Sequence, residues 1–170
     1  IVSQAHPELV RELFELYVPE IEDNTVEIKS IAREAGYRTK IAVHSEDSDV
    51  DPVGACIGTR GVRIQNVVAE LRNEKIDVIR YSTDPVDYIS NALSPARITT
   101  VALYEEQQEN AGRRAEVIVP DDQLSLAIGR GGQNVRLAAK LTGWKIDIKS
   151  ESQAGGSFRS MNQTLDELTT

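Results

Sequence analysis

Two short stretches of this chain carry nearly the same residues in the same order, Ile57-Gly58-Thr59-Arg60-Gly61 and Ile128-Gly129-Arg130-Gly131-Gly132. Each is followed by apolar residues at helical spacing and then by a closing tetrapeptide, Lys75-Ile76-Asp77-Val78 in one copy and Lys145-Ile146-Asp147-Ile148 in the other. From first glycine to lysine the interval is 17 residues in the first copy and 16 in the second. One folding unit therefore occurs twice. The chemistry such a loop suits is contact with a chain of anions. Without a Cβ the backbone turns sharply and lets another backbone approach, while the helix that follows presents free N–H groups. Thr59, Arg60 and Arg130 add a hydroxyl and two guanidinium groups, suited to phosphate or sugar. Either copy alone could be a plain tight turn between helices; the pair favours a phosphodiester chain as ligand.

The flanking residues say which elements hold these loops. Before the second copy, Pro120-Asp121-Asp122 is a helix-start signal, and Leu124, Leu126, Ala127 and Ile128 supply apolar positions. After it, Val135, Leu137, Ala138, Ala139 and Leu141 continue at helical spacing until Gly143. The first copy reads likewise, from Asp51-Pro52 through Val53, Ala55 and Cys56 into a helix striped by Ile64, Val67, Val68 and Leu71. Further elements follow from periodicity: a helix over Pro7 to Tyr17, strands over Thr25 to Arg33 and Arg38 to His44 around a Glu34-Ala35-Gly36-Tyr37 turn, and a strand over Ile76 to Tyr81. In the second unit, Pro85 to Leu93 is a helix, Ile98 to Tyr104 and Arg114 to Val119 are strands, and Glu105 to Gly112 is a polar hairpin loop. The order in each unit is helix, two strands, two helices, strand.

Enzymatic readings of the glycines fail on spacing. A nucleotide-hydrolase phosphate loop needs G-x-x-x-x-G-K-[ST], which the chain lacks. A dinucleotide fingerprint needs a third glycine where Asn134 stands, and a strand where a helix is expected. Cys56 has no neighbouring histidine to act as base and reads as a small buried helix residue. His6 and His44 lie far apart, and no Cys/His cluster suggests a metal. The expectation is a non-enzyme with no catalytic residue, cofactor or metal.

A helix, a G-x-x-G loop and a second helix form the core of KH domains, which clamp about four nucleotides of single-stranded RNA. Asp51-Pro52-Val53-Gly54-Ala55-Cys56-Ile57-Gly58, Pro120 to Gly129, Gln133 to Ala139 and Leu141 to Ile148 closely resemble the tandem KH region of the NusA family of bacterial transcription elongation and termination factors. The resemblance implies an α+β fold of two tandem type II (prokaryotic) KH domains, each a three-stranded sheet covered by helices: 1–82 the first, 83–150 the second. Residues 151–170 depart from it, and the Gln153-Ala154-Gly155-Gly156-Ser157 stretch marks them as a linker-like, largely disordered tail. The resemblance also implies an excised piece, since members of that family carry a polymerase-binding domain and an oligonucleotide-binding barrel ahead of the KH pair. The missing initiator methionine agrees with this. The function implied is binding of nascent single-stranded RNA in transcription elongation, termination and antitermination, with RNA polymerase and other transcription factors as partners. The residues matching the loop motif are Gly58, Thr59, Arg60, Gly61, Gly129, Arg130, Gly131 and Gly132, with Arg60 and Arg130 on phosphates. Arg63, Gln133, Asn134 and Arg136 are further candidates for base or phosphate contact.

Composition sets bounds. The single Cys56 allows no intrachain disulfide and suits a reducing cytoplasm; there is neither a membrane-spanning apolar run nor a signal-like start. A net charge of −8 is wrong for a protein whose whole surface binds nucleic acid. The acid is localised, however: Glu8 to Glu27 holds seven acidic residues against Arg11, and Glu46 to Asp51 holds more. The second motif and its helix carry Arg130, Arg136, Lys140, Lys145 and Lys149 against Asp147, so RNA binding is expected on one face only. With only 5% aromatic residues, a stacking platform is not expected. Aliphatics would line the grooves instead, Val53, Ile57 and Ile64 in one unit and Leu124, Ile128 and Val135 in the other, and the same residues are candidate core. Trp144 reads as packing. The rival reading is a protein-interaction module that docks a basic partner through the acidic stretch Glu8 to Glu27.

Overall fold

The computed structural model describes residues 6–105 and 112–155. In the first unit, α1 (Pro7–Tyr17) and the short α2 (Pro19–Glu22) lead into β1 (Glu27–Glu34) and β2 (Arg38–His44), followed by α3 (Pro52–Ile57), a 3-10 turn (Thr59–Gly61), α4 (Val62–Glu70) and β3 (Lys75–Arg80). The second unit repeats the order with α5 (Pro85–Ala92), β4 (Thr100–Glu105), β5 (Arg113–Val119), a 3-10 turn (Asp121–Gln123), α6 (Leu124–Ile128), a second 3-10 turn (Arg130–Gly132), α7 (Gln133–Thr142) and β6 (Lys145–Ser150). Each unit has a three-stranded sheet, β1-β2-β3 and β4-β5-β6, whose first pair is antiparallel and second pair parallel. Register is equivalent in the two copies: Arg38 pairs with Lys75 as Arg114 pairs with Lys145. The expected α+β pair of helix-covered sheets is the fold. Among the described residues no helix is long and apolar enough to cross a membrane.

α1 forms because Pro7 fits a first helical position and the His6 side chain accepts the Glu8 N–H. Val10 and Phe14, four apart on its inner face, are fully buried against Ile41, Val43 and Val67; burial of side chains of this size is worth about 1.5–3 kcal/mol each. The second unit has the matching core of Ile89, Val117, Leu137 and Trp144.

The two units share one of these cores. Ala32, Ala42 and Ile79, on the back of the first sheet, belong to the same cluster as Ile89, Leu137 and Leu141 of the second unit. A bulge between Ile28 and Ser30 sets the alternation of β1. Ile28 and Ile31 then point to the first unit's helices, while Ser30, Ala32 and Glu34 point to α7. Ser30 Oγ donates to the Leu141 carbonyl at 3.0 Å near one end of α7, and Glu34 accepts from Gln133 at the other. The stretch after α5 is tied in as well: Lys40 Nζ donates to the Ser94 carbonyl at 2.8 Å.

Two expectations need correction. Residues 151–155, expected to begin a linker-like tail, are helical and held to the second unit: Thr99 Oγ1 donates to Glu151 at 2.7 Å, and the Ser152 backbone N–H donates to Asp121 at 3.0 Å. The helix expected from Pro120 begins as a 3-10 turn and becomes α-helical only at Leu124. The rest of the tail, 156–170, and 106–111 of the hairpin loop lie outside the described residues.

Candidate nucleic-acid interface

The two glycine loops are nearly superimposable in torsion space. Gly58 has φ 77° and ψ 171° where Gly129 has 79° and 170°; Arg60 has 57° and 23° where Gly131 has 62° and 22°; Gly61 has 74° and 17° where Gly132 has 78° and 12°. Three of the four loop residues in each copy thus adopt or border the left-handed region, which explains the glycines. At the first glycine there is also no room. A Cβ on Gly129 would lie 2.7 Å from the Asn134 backbone nitrogen, and one on Gly58 would lie 2.7 Å from Arg63 Cγ.

Beyond the loops, α4 and α7 start on Gly61 and Gly132, and no side chain caps either helix. Their first amides are used inside the turn, Val62 N–H donating to the Thr59 carbonyl and Gln133 N–H to that of Arg130, so what each helix start offers an anion is its positive dipole end. Thr59, Arg60 and Arg130 are exposed at the tips. The cation stands at the third loop position in one copy and at the second in the other. Ile57 and Ile128, just before the first glycines, are partly exposed and stand outside both core clusters, whereas Val53, Ile64, Leu124 and Val135 pack against them. Of the six aliphatics weighed as groove or core, the two isoleucines therefore remain available to a ligand. Exposed Val62 and Leu126 stand nearby in sequence.

The remaining sequence candidates have other employment. Asn134 is fully buried, and its Nδ2 donates to the carbonyls of Leu93 at 3.0 Å and Ala127 at 2.9 Å. It is a brace beneath the second loop, not a contact for a base. Arg63, five residues after Gly58 as Asn134 is after Gly129, is the equivalent brace: its Nη1 donates to the Ala55 carbonyl at 2.8 Å and to Glu20 at 2.6 Å. The shared offset was the signal that both would serve the loop from below. Gln133 and Arg136 both donate to Glu34 of the first unit, and Arg136 Nη1 donates in addition to the Gly131 carbonyl at 3.0 Å. No local pattern marks Glu34 or Glu20, because their partners lie in distant parts of the chain.

Electrostatics follow this division. The Arg136 guanidinium holds the Glu34 carboxyl below the usual carboxylate range, so this acid beside the second loop stays ionised with its charge paired to Arg136. Burial pushes the Cys56 thiol up to about 12, which leaves it un-ionised and no nucleophile. Among the described residues no group of three or more His, Cys, Asp or Glu could hold a metal ion.

Comparison with known proteins gives a consistent result. Residues 4–81 match the model of the NusA-like first KH domain and residues 85–155 that of the NusA-like second KH domain. The chain is 61% identical over 154 residues to the transcription termination/antitermination protein NusA of Halalkalibacterium halodurans, covering 91% of this chain and 39% of that protein. It is 59% identical to the Bacillus subtilis protein of the same name, over 90% of this chain and 40% of that one. The Thermus thermophilus protein of that name is 54% identical over 98% of this chain and 42% of its own length. The chain thus spans about two fifths of the length of these curated relatives. A solved structure described as "Crystal structure of APE1850" aligns with TM-score 0.60 and 26% identity, covering 84% of this chain and 97% of that one. Two matched domain models in tandem, on two matched loops, make this chain a member of the NusA-like KH family, a first KH domain joined to a second.

Proposed function

We propose that this chain is the single-stranded RNA-binding module of a transcription elongation, termination and antitermination factor, working on nascent RNA beside RNA polymerase. The observation that carries the reading is the equivalence of the two loops: the same torsions, the same uncapped helix behind each, and an exposed arginine at each tip. RNA binding is the general property of KH domains. The relatives' name, transcription termination/antitermination protein, supports the wider role. The backbones of Gly58 to Gly61 and Gly129 to Gly132 take the phosphodiester chain, Arg60 and Arg130 pair with phosphates, and Ile57 and Ile128 lie against bases.

One RNA spans both loops. A cavity of about 350 Å³ is lined from the first unit by Val53, Ile79 and Arg80 and from the second by Asn91, Ser94 and Ala96. Val53 lies in the first turn of the helix that ends at the first loop, and the Leu93 carbonyl, next to Ser94, takes the Asn134 amide beneath the second. On this reading the strand runs along this cavity from one loop to the other.

The test is anisotropy of fluorescent single-stranded RNA across salt concentrations, with Thr59-Arg60 or Arg130-Gly131 replaced by Asp-Asp. Each replacement is expected to leave the fold intact, weaken binding strongly and flatten the salt dependence. Retained affinity with an unchanged salt slope refutes the loop contacts. Binding of a basic protein partner through the acidic stretch has one observation in its favour, Leu16, which is 70% exposed on α1 between Glu12 and Glu15 on one side and Glu20 on the other. A complex lost on Glu15→Lys but indifferent to the loop replacements identifies it. Glu20 is not a clean probe, because it holds Arg63.

A further inference from the structure

Glu34 ends β1, and its carboxylate points into the second unit. Gln133 Nε2 donates to Oε2 at 3.1 Å, and Arg136 Nε donates to Oε1. Both donors lie on the first turn of α7, directly after the second glycine loop. Through Nη1, Arg136 continues the chain to the carbonyl of Gly131, the loop residue at φ 62°. A line of hydrogen bonds therefore runs from the first KH domain, through a carboxylate and a guanidinium, to the tip of the loop in the second.

Among the described residues no such strut reaches the tip of the first loop; the pair Glu20 and Arg63 stops at the Ala55 carbonyl beneath it. The equivalents of Gln133 and Arg136 there are Val62, which is 54% exposed, and Gln65. It also needs one less. At the tip position the first copy has Arg60, whose Cβ narrows the accessible backbone, where the second has Gly131, followed by another glycine. Consecutive glycines lose the most conformational freedom on being fixed, so the second loop is the more expensive of the two to order around a ligand.

We propose that Glu34 is a positioning residue for RNA binding by the second loop: it holds Arg136, Arg136 holds the Gly131 carbonyl, and the loop meets RNA already ordered. This rests on the reading of that loop as an RNA contact. The opposite arrangement is a carboxylate that competes with phosphate for Arg136, so that its removal tightens binding. The two differ in sign.

The experiment compares Glu34→Gln with the unaltered chain. Gln keeps the shape but loses the charge-assisted bond. Single-stranded RNA of about twelve nucleotides, long enough to reach both KH loops at about four nucleotides each, is expected to bind roughly three- to tenfold more weakly, part of the contribution of one such bond. Amide hydrogen exchange at Gly131 and Gly132 in the free protein is expected to quicken, with Gly58 and Gly61 unchanged. The weakening should persist in the Thr59-Arg60→Asp-Asp background and vanish in the Arg130-Gly131→Asp-Asp background, where the second loop no longer contributes. Arg136→Lys, which keeps the charge but cannot reach Glu34 and Gly131 together, is expected to behave like Glu34→Gln and serves if that variant unfolds. Unchanged or tighter RNA binding, or unaltered exchange at Gly131 and Gly132, overturns the proposal. If Arg130-Gly131→Asp-Asp itself leaves binding intact, the fault lies with the RNA contact and not with the strut.

Discussion

Gly129 and Gly131 stand in one loop and answer to different constraints. At Gly129 a Cβ meets backbone 2.7 Å away, and backbone cannot step aside; at Gly131 nothing lies within 4 Å, and the first copy has Arg60 in the same conformation. Gly131→Ala should therefore cost only the left-handed penalty, about 1 kcal/mol, while Gly129→Ala should cost on the order of 3 kcal/mol or more. Gly58→Ala should cost nearly as much as Gly129→Ala, because it meets Arg63 Cγ at 2.7 Å and Cβ at 3.0 Å, close to the backbone of a side chain whose far end is held by Ala55 and Glu20. Urea midpoints of the three variants check the order, and a Gly131 variant less stable than the Gly129 variant sinks the account. Asn134→Ala should lower stability by about 1–3 kcal/mol, since it leaves the Leu93 and Ala127 carbonyls without their donor. Arg130→Ala should leave the midpoint alone and weaken RNA binding. The loop glycines were legible in the sequence because the motif recurs. Asn134 was misread because an amide just past a glycine loop looks like a base reader, and its burial is decided by a carbonyl 41 residues away.

Among the elements, β2 makes the least legible choice. Its run Arg38-Thr39-Lys40-Ile41 reads as an ordinary strand with polar residues outward, yet Arg38, Thr39 and Lys40 are all buried. The reason is tertiary: the back of this sheet is covered by the second unit, and partners for the charges come from β3 and its approach. Asp77 accepts from Arg38 Nε at 2.9 Å and from Lys40 Nζ at 2.8 Å. Burial pushes the Lys40 ammonium down to about 8, against the pull of Asp77 and with Arg38 and Lys75 adding repulsion. In the unfolded chain the same group titrates near about 10.4. Between pH 8 and about 10.4 the unfolded state binds more protons than the folded one, so this group makes stability rise with pH across that window. A Lys40→Met variant should lose the rise. Carbon-13 NMR of the lysine side chains should place the Lys40 midpoint well below those of the surface lysines; a midpoint among them would show that burial does not govern this group. Glu74 gives a slope of the same sign, but in the acid range. Burial acts to raise its carboxyl, but Arg33, Thr39 and the Gly36 N–H outweigh it and hold it below the usual range, so its contribution is present at neutral pH and is lost on acidification. Strand and helix existence was legible from periodicity, and errors at element ends were small, as with β1 beginning at Glu27 instead of Thr25.

At the scale of the whole molecule, the decisive fact is that the two loops belong to one packed body. The connection from Arg80 to Pro85 is short, but its length does not tell which faces meet. That choice depends on Ser30, Ala32 and Glu34 alternating to the back of β1 opposite α7, and the bulge that sets this alternation has no signature of its own. Rigid pairing has a consequence for RNA length. Once one loop holds a strand, the second is offered the same strand at high effective concentration, with no flexible linker to dilute it. Affinity should therefore rise steeply once an RNA is long enough to reach both loops, well beyond the gain from doubling the sites, and the rise should disappear when either loop carries Asp-Asp. Arg80, exposed beside the cavity between the units, separates this arrangement from two independent sites. If one RNA runs along this cavity between the loops, as proposed, it passes Arg80, and a strand held in one loop need not. Arg80→Ala should weaken binding of an RNA of about twelve nucleotides and lower its log–log salt slope by about 0.7, the increment for one contact to a single strand, while leaving an RNA of about five nucleotides unaffected. Equal losses for both lengths would place Arg80 within one loop's own site, and no loss for either would take the RNA off this path altogether.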